Sequence, residues 1–403
     1  MFYVIMILPK FIIKRGGYQT LAYHNTIFAQ ILELISRHEF EILAEQYDHG
    51  PKLRKMNRWS QFVAMSSAQL TGRHSLRDLT AALSSQAHKL YHLGCRRVTR
   101  STLARVNEQK PYTFYEALFY KLLNRCQSVA PRHGFRFKNK LYSLDATVID
   151  LCLNVFPWAE FRKSKGAIKI HAGLDHDGYI PAFIAVTPGC VHELKPARFL
   201  NLPKHSIVVF DRGYTDYSWY NELNEQSIFF VTRMKSNARH KIIQSHDSNT
   251  KQGVIADQTI RLTGSKAGEC PIPLRRVVYQ DPDLDKEYVF LTNHLKLSAR
   301  TIADIYKERW QIELFFKWIK QNLKIKSFLG ASHNAVLTQV WVAMCMCLIL
   351  SYIKFTSKLK RSLQQILRLL HLNLFERRDL MELLKCPKYP VIKKQNPMQL
   401  RLI

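Results

Sequence analysis

Tyr306-Lys-Glu-Arg309-Trp-Gln-Ile-Glu313-Leu-Phe-Phe-Lys317-Trp-Ile-Lys320 is the stretch of this chain with the clearest pattern. Its spacing, Y-x2-R-x3-E-x6-K, predicts a helix on which those four residues fall within an arc of about 60°, at roughly 100° per residue. Lys317 and Lys324 share that face. The opposite face is apolar and predicts a contact with the core; it carries Ile312, Phe315, Phe316 and Ile319.

A carboxylate among cations on the polar side of an anchored helix has two interpretations. In the first, Glu313 binds a metal ion and its cationic neighbours bind phosphates. In the second, the face is solvated and Arg309 forms an i,i+4 ion pair with Glu313, although Arg before Glu is the poorer orientation for such a pair. The helix alone leaves both open.

Composition indicates a folded protein with a polyanionic partner. The chain has 403 residues, 47% of them hydrophobic, and a formal net charge of +29. Residues 50–110 hold twelve Lys and Arg against two acids, and residues 354–403 hold twelve against three. Because such a charge repels itself in a compact state, we expect nucleic acid as the partner, with an anionic membrane surface as the lesser alternative.

The cysteines and the apolar segments indicate a cytoplasmic protein. None of the eight cysteines forms a CxxC pair or has zinc spacing with histidine, so we expect reduced packing residues. Residues 335–353 approach membrane length, but polar residues interrupt them and predict a buried core helix. The apolar start, residues 1–13, lacks the small-residue cleavage site of a signal peptide.

Residues 20–125 have helical periodicity. Asn57 is predicted to cap one helix, Gly72 to end it and Ser75 to cap the next. A further helix opens at residues 99–107 with hydroxyls and arginines, Arg105 among them. Two short helices before a basic helix N-terminus suit a helix-turn-helix reader of DNA. A basic bundle that only dimerises, or binds DNA without sequence preference, is the alternative.

The pattern then changes to strands. Leu141–Leu151 is β-rich, a hairpin follows with its turn at residues 175–178, and Ser206–Phe210 reads as a central strand buried on both faces. We predict an α/β fold with a helical DNA-binding domain at 20–125, a core at 135–234 and 301–360, a β-rich insertion at 235–300 and a basic helical tail at 361–403.

Two further carboxylates lie where α/β proteins place their sites. Asp145 sits within a strand, and Asp211 closes the buried strand, at a position where an unpaired acid is costly. Three carboxylates from separate elements could hold a pair of Mg²⁺ ions for phosphoryl displacement. Alternatively, Asp211 only caps the helix that follows it.

Together these motifs carry a family resemblance. The Y-R-E-K helix, Asp145 in Leu-Asp-Ala-Thr and Asp211 in Asp-Arg-Gly-Tyr resemble the DDE transposases of bacterial insertion sequences, and most closely insertion-sequence family four. The resemblance covers residues 20–360. It implies an RNase H-like core with a β-rich insertion between the second Asp and the Glu, preceded by an all-α N-terminal domain.

The resemblance also implies roles. Asp145, Asp211 and Glu313 would be catalytic and would bind two Mg²⁺ ions, for which Mn²⁺ can substitute. Tyr306, Arg309 and Lys320 would bind the phosphates near the cleaved end. From charge and position alone, we also expect Lys317 and, in the N-terminal domain, Arg105 to bind DNA. A homodimer would bind the terminal inverted repeats, cleave DNA and transfer the strands to target DNA. The alternatives are a non-catalytic DNA-binding protein, inactive or domesticated, and an RNase H-like nuclease without strand transfer.

Lesser candidates lie outside these motifs. His192 and Glu193 could approach the site, as a proton carrier or as a group that does not touch the metal ion directly. Alternatively, they form a surface loop. Lys169 and His171 share one face of a strand and could line the DNA channel, or only pack there. The two tryptophans of the signature helix are predicted to be core residues; they are Trp310 and Trp318.

Overall fold

The computed structural model describes residues 25–48, 56–162, 165–247 and 250–385. The apolar start at residues 1–13 and the last part of the basic tail, residues 386–403, lie outside these ranges. The α-helices of the described chain are α1 (Ile27–Leu32), α2 (Arg37–Tyr47), α3 (Arg58–Thr71), α4 (Leu76–Ser85), α5 (Ala87–Leu90), α6 (Arg100–Gln109), α7 (Thr113–Gln127), α8 (Leu194–Ala197), α9 (Tyr217–Glu225), α10 (Ala299–Glu308), α11 (Trp310–Asn322), α12 (His333–Ser357), α13 (Leu363–Asn373) and α14 (Leu380–Leu384).

The strands form a single sheet. They are β1 (Leu141–Leu151), β2 (Glu160–Arg162), β3 (Lys165–Asp175), β4 (Ile180–Pro188), β5 (Ile207–Val209), β6 (Phe229–Arg233), β7 (His240–His246), β8 (Val254–Leu262), β9 (Leu274–Asp281) and β10 (Lys286–Thr292). Along the sheet the order is β2-β3-β1-β5-β6-β10-β9-β8-β7, with β4 also paired to β3.

The first half of the sheet has RNase H-like topology. β1, β3 and β4 form an antiparallel meander, and β5 and β6 then run parallel to β1. The three residues of β5 are fully buried, as expected for a continuous apolar strand between two neighbours. Helix α9 covers one face of the sheet and α10 the other. The predicted α/β, RNase H-like fold class is confirmed.

Residues 235–300 extend this sheet. β10 pairs antiparallel with β6, with Phe290 opposite Arg233, and β9, β8 and β7 follow outward. The sequence pattern predicted a β-rich insertion here but did not indicate β7. That strand lies at the edge with most of its side chains exposed, so it lacks the apolar alternation that marks a strand.

The N-terminal helices begin and end largely where the sequence indicates. Asn57 caps α3, Gly72 ends it with a φ of 65°, and Ser75 caps α4. The predicted helix-turn-helix is wrong in its spacing. Residues 86–99, which include the single-turn helix α5, separate α4 from α6. A turn of three or four residues, which that motif requires, does not join them.

Helix α12 joins the N-terminal helices to the sheet. It is long and apolar enough to cross a membrane, but 94% of its most apolar window is buried inside the fold. It packs on α3, α6 and α7, and one hydrophobic cluster runs from the N-terminal helices through α12 to the helices of the tail. Asn334 at its start also donates hydrogen bonds to the carbonyl oxygens of Asn107 and Lys110. The predicted buried core helix agrees with this packing.

A buried ion pair ties the added strands together. Asp257 on β8 accepts two hydrogen bonds from the Arg275 guanidinium on β9, at 2.7 and 2.6 Å. Both side chains are buried. The guanidinium also donates to the carbonyl oxygens of Leu295 and Leu297, just before α10.

We expect Arg275→Met to lower the free energy of unfolding by about 3–5 kcal/mol, because it leaves the Asp257 carboxylate buried without a partner. Lys307→Met, which breaks the exposed pair with Asp283, should cost at most about 1 kcal/mol. Urea-induced unfolding measures both. The double variant Arg275→Met/Asp257→Leu should be more stable than Arg275→Met alone; a less stable double variant would contradict this account.

Candidate active site

Strand register brings two of the predicted acids together. β1 and β5 pair in parallel, with Leu141 opposite Ile207 and Ser143 opposite Val209. Two residues further along each chain, the same register leads to Asp145 and Asp211. Side chains two residues apart on a strand share a face, so both carboxylates belong to the face that α10 covers.

The signature stretch is two helices that meet at Arg309. α10 ends at Glu308 and α11 begins at Trp310, so the prediction of one uninterrupted helix is wrong at this residue. Arg309 keeps helical dihedrals, but its backbone N–H donates to Tyr306 rather than one residue further back. The apolar face is buried as predicted; it consists of Ile312, Phe315, Phe316 and Ile319.

Arg309 links the strand acid to the helix acid. One guanidinium nitrogen lies 2.6 Å from Oε1 of Glu313, and another lies 3.8 Å from Oδ2 of Asp145. The i,i+4 pair that was the alternative for Glu313 is therefore present, but it faces the other acids. The Nε of Arg309 is buried without a hydrogen-bond partner among the described residues.

A cleft of about 420 Å³ opens beside these acids. Asp145 and Glu313 line it together with three lysines, Lys317, Lys320 and Lys326. Lys320 is held against β1, where its Nζ donates to the carbonyl oxygen of Val148 at 3.0 Å. Sequence reasoning missed Lys326, because it follows the end of α11 and has no place in a helical pattern.

The chain after α11 leaves this face. Lys324, predicted to share it, does not line the cleft: its Nζ lies 3.2 Å from His74. Its backbone N–H donates to Gln69 on α3 at 2.7 Å, so an N-terminal helix holds the segment that follows α11.

Burial and negative neighbours act on Asp145. Burial is the largest cause that raises the pKa of its carboxyl, to about 6, and the charges of Asp211 and Glu193 add to it. The Ala146 N–H and the Arg309 guanidinium act in the opposite direction. Burial and the charges of Asp145, Glu193 and Asp211 also raise the pKa of the Tyr214 hydroxyl. The site therefore concentrates negative charge.

Asp211 also caps a turn, as the alternative interpretation held. Its Oδ1 accepts a hydrogen bond from the Gly213 N–H at 2.8 Å, at the start of the 3-10 helix Arg212–Tyr214. Helix α9 has its own cap at Asp216. Within the described part of the chain the second carboxylate oxygen of Asp211 has no such bond, so the cap does not exclude a role in the site.

The remaining residues of the signature stretch have mixed positions. Tyr306 is half-buried on α10, its ring 5.0 Å from that of Phe290 and 5.7 Å from the Arg309 guanidinium. Trp318 packs partly buried against the core, as predicted. Trp310 was predicted to be buried as well, and this is wrong: it is 55% exposed, because it starts α11 on the outer side of the break.

The other sequence candidates divide into two groups. Glu193 lies at the acids, 3.5 Å from Lys169 Nζ, and His192 is exposed beside it. His171 is buried and bonded to Thr187 at 2.9 Å, and burial lowers its pKa to about 4, which favours packing. Arg105 is exposed on α6 and does not line the cleft.

The carboxylates of the described chain are not arranged around a common metal position. In the described ranges, no three His, Cys, Asp or Glu side chains are arranged to hold one metal ion. The Glu313 carboxylate is bonded to Arg309 instead.

A sheet of this order with acids on β1, after β5 and on α11 defines an RNase H-like nucleic-acid enzyme. Residues 136–350 match the family model described as Transposase DDE domain, and the chain belongs to that family. Residues 23–96 match a second model, Domain of unknown function (DUF4372). The chain is thus a DNA-cleaving and strand-transferring enzyme of the DDE class, as the resemblance implied.

Two relatives carry transposase names. A Sinorhizobium fredii protein named as a transposase, y4zB, is 35% identical over 285 residues, covering 69% of this chain and 78% of the relative. A Geobacillus stearothermophilus protein named as the transposase of insertion sequence element IS5377 is 27% identical over 327 residues, 79% of this chain and 82% of the relative. The piggyBac transposase in a synaptic complex with hairpin DNA aligns with a TM-score of 0.42 and 12% identity, over 90% of this chain and 81% of that one.

Asp145 should make the stability of the free protein fall as pH rises. Its pKa is about 6 in the folded chain against 3.8 for the free carboxyl, so the folded state binds the proton more tightly. Between about pH 4 and pH 6 the free energy of unfolding therefore decreases. Asp145→Asn should remove this decrease and stabilise the protein at pH 7 by up to about 3 kcal/mol.

Thermal or urea unfolding at a series of pH values measures this effect. Asp150→Asn is the matched control, because Asp150 is exposed on the same strand. If Asp145→Asn is no more stable than the parent at pH 7, burial does not strain this carboxylate.

Proposed function

We propose that this transposase binds the terminal inverted repeats of its own insertion sequence, cleaves DNA there with Asp145, Asp211 and Glu313, and joins the freed 3′-OH ends to target DNA. The observation that carries the proposal is the contact of one guanidinium, Arg309, with both Asp145 and Glu313. That contact supports a single reaction centre built from β1 and α11, with Asp211 in register on the adjacent strand.

The donor set fits hard divalent cations. Asp145, Asp211 and Glu313 offer only carboxylate oxygens, the ligands that Mg²⁺ prefers, and Mn²⁺ accepts the same set. Burial is the largest cause that raises the pKa of Asp145, but the charge of Asp211 also raises it, which supports a site that the two carboxylates share. We propose that these three residues hold two Mg²⁺ ions, which when bound activate the nucleophile and stabilise the leaving oxygen.

The cations of the cleft would bind the DNA backbone. Lys317 and Lys326 are exposed at its rim, and Lys320 is fixed by the carbonyl oxygen of Val148. The Arg309 guanidinium would add its positive charge beside the acids. Tyr306 packs beside Arg309 and would hold its guanidinium in place. The Y-R-E-K spacing supports membership of insertion-sequence family four.

Recognition of the repeats would belong to the N-terminal helices. Arg100 and Arg105 are exposed on α6, within the segment of largest charge excess. Phosphate contacts would fix the register of the DNA, and α6 would reach base edges. Synapsis of two ends requires at least two copies, so we propose a homodimer in the DNA complex.

The alternatives have less support. A decayed DNA-binding protein has no need to keep Asp145 and Glu313 on one guanidinium with Asp211 in register beside them. A nuclease without strand transfer is disfavoured by the match to the transposase domain over residues 136–350.

The acids are tested by Asp145→Asn, Asp211→Asn and Glu313→Gln. Each should lower cleavage and joining by about a thousandfold or more, because a lost metal ligand removes several kcal/mol of transition-state stabilisation. Binding to the ends should persist. Gel assays on the flanking ends in Mg²⁺ measure both, with Glu222→Gln, whose carboxylate pairs with Arg198, as the control. Parent-like cutting by any of the three acid variants would remove that residue from the site.

Base reading and phosphate binding are separated by two substitutions. Arg105→Ala should reduce discrimination between terminal-repeat and random DNA by about 1–3 kcal/mol. Lys320→Ala should weaken both DNAs alike and lower the slope of log K against log salt by roughly 0.9. Binding titrations at several salt concentrations measure the two effects. Equal weakening of both DNAs by Arg105→Ala would show that it contacts only the backbone.

Point substitutions are preferable to removal of the N-terminal helices. α3, α6 and α7 cover α12, so their deletion would expose the apolar surface of the core. Loss of DNA binding in such a truncated protein would report unfolding rather than lost recognition.

A further inference from the structure

We propose that Glu193 is a fourth carboxylate of the active site and binds a divalent cation together with Asp145 and Asp211. This inference rests on the proposed metal-dependent function. Glu193 lies outside the strands and the signature helix, in the loop between β4 and α8, where the sequence alone favours a surface loop.

The loop that carries Glu193 is fixed against the sheet. The Gly189 N–H donates to the carbonyl oxygen of Ala167 at 2.9 Å, and Lys169 Nζ donates to that of Val191 at 3.1 Å. Lys169 is itself mostly buried on β3. The hydrogen bonds to β3 therefore hold the Glu193 loop at the same sheet that carries the two aspartates.

Gly213 allows the approach of Glu193 to Asp211. A Cβ atom at Gly213 would lie 2.9 Å from Oδ1 of Asp211 and 3.5 Å from Oε2 of Glu193. The two carboxylates thus converge on one backbone position that has no side chain. The other oxygen of Glu193, Oε1, faces Lys169 at 3.5 Å.

The local charge calls for a cation. Four carboxylates gather here, on Asp145, Asp211, Glu193 and Glu313. Among the described side chains, two cations pair with them: Arg309 with Asp145 and Glu313, and Lys169 with Glu193. The three lysines of the cleft form no ion pair with these four acids in the described chain, so a divalent cation bound among the acids would offset their repulsion. The β1–β5 register places Asp145 beside Asp211, and Asp211 and Glu193 both approach Gly213.

The competing explanation makes Glu193 only the partner of Lys169. Their 3.5 Å ion pair is long, and the ammonium already has the Val191 carbonyl as an acceptor. If anchoring were the whole role, loss of either partner would have the same effect. If Glu193 binds metal, loss of Lys169 would leave a carboxylate that binds the cation at least as well.

The test measures the affinity of the full chain for Mn²⁺ in the absence of DNA, by electron paramagnetic resonance or calorimetry. We expect Glu193→Gln to weaken Mn²⁺ binding by at least about tenfold and Glu193→Asp to weaken it less. Lys169→Met should keep or increase the affinity. Glu222→Gln, which removes a carboxylate from a surface ion pair, should leave it unchanged, and thermal unfolding verifies that every variant is folded.

The outcomes separate this inference from the function on which it rests. The role of Glu193 is supported if Mn²⁺ binds more weakly to Glu193→Gln and to Asp145→Asn while Lys169→Met keeps the parent's Mn²⁺ affinity. Parent-like Mn²⁺ affinity in a folded Glu193→Gln, while Asp145→Asn loses binding, overturns the role of Glu193 and leaves the metal site intact. Equal losses in Glu193→Gln and Lys169→Met also overturn it in favour of anchoring. Parent-like affinity in Asp145→Asn would instead overturn the proposed metal site itself.

Discussion

The parallel pairing of β1 with β5 is the contact on which the site depends. Backbone hydrogen bonds join the two buried strands in one register. A slip of one residue would turn every side chain of β1, Asp145 included, to the other face of the sheet. The same pairing brings a mid-strand acid beside an acid at the end of its neighbour. Helix α11 then needs only its apolar face, anchored by residues such as Ile312 and Ile319, to bring Glu313 to the same place.

Arg309 shows how repulsion among these acids is managed. It sits at the break between α10 and α11, where a change in backbone hydrogen bonding lets its side chain reach β1 as well as Glu313. A guanidinium is always charged and forms several hydrogen bonds in a fixed geometry, so it can hold two carboxylates at once. Burial is the largest cause that raises the pKa of Asp145, and the charges of Asp211 and Glu193 add to it in spite of the Arg309 guanidinium.

Long-range charge and local charge have opposite signs in this protein. The chain carries +29 overall, which attracts DNA from a distance, while two carboxylates and three lysines line the cleft. Helix α12 and the bond from Lys324 to Gln69 join the cleft to the N-terminal helices, so the parts proposed to recognise and to cleave DNA share one core.

The sequence by itself determined the elements and the identity of the acids. These elements follow from local patterns that do not depend on which part of the chain packs against them. Examples are the caps at Asn57 and Ser75, the alternation along β1 and the apolar face of α11. The sequence could not determine the break at Arg309, the exposure of Trp310 or the place of β7, since these depend on what packs against each residue. The convergence of Glu193 with Asp145 and Asp211 was decided only by tertiary structure. Strand register, a glycine without a side chain and a loop held by Lys169 bring together residues that no spacing along the chain relates.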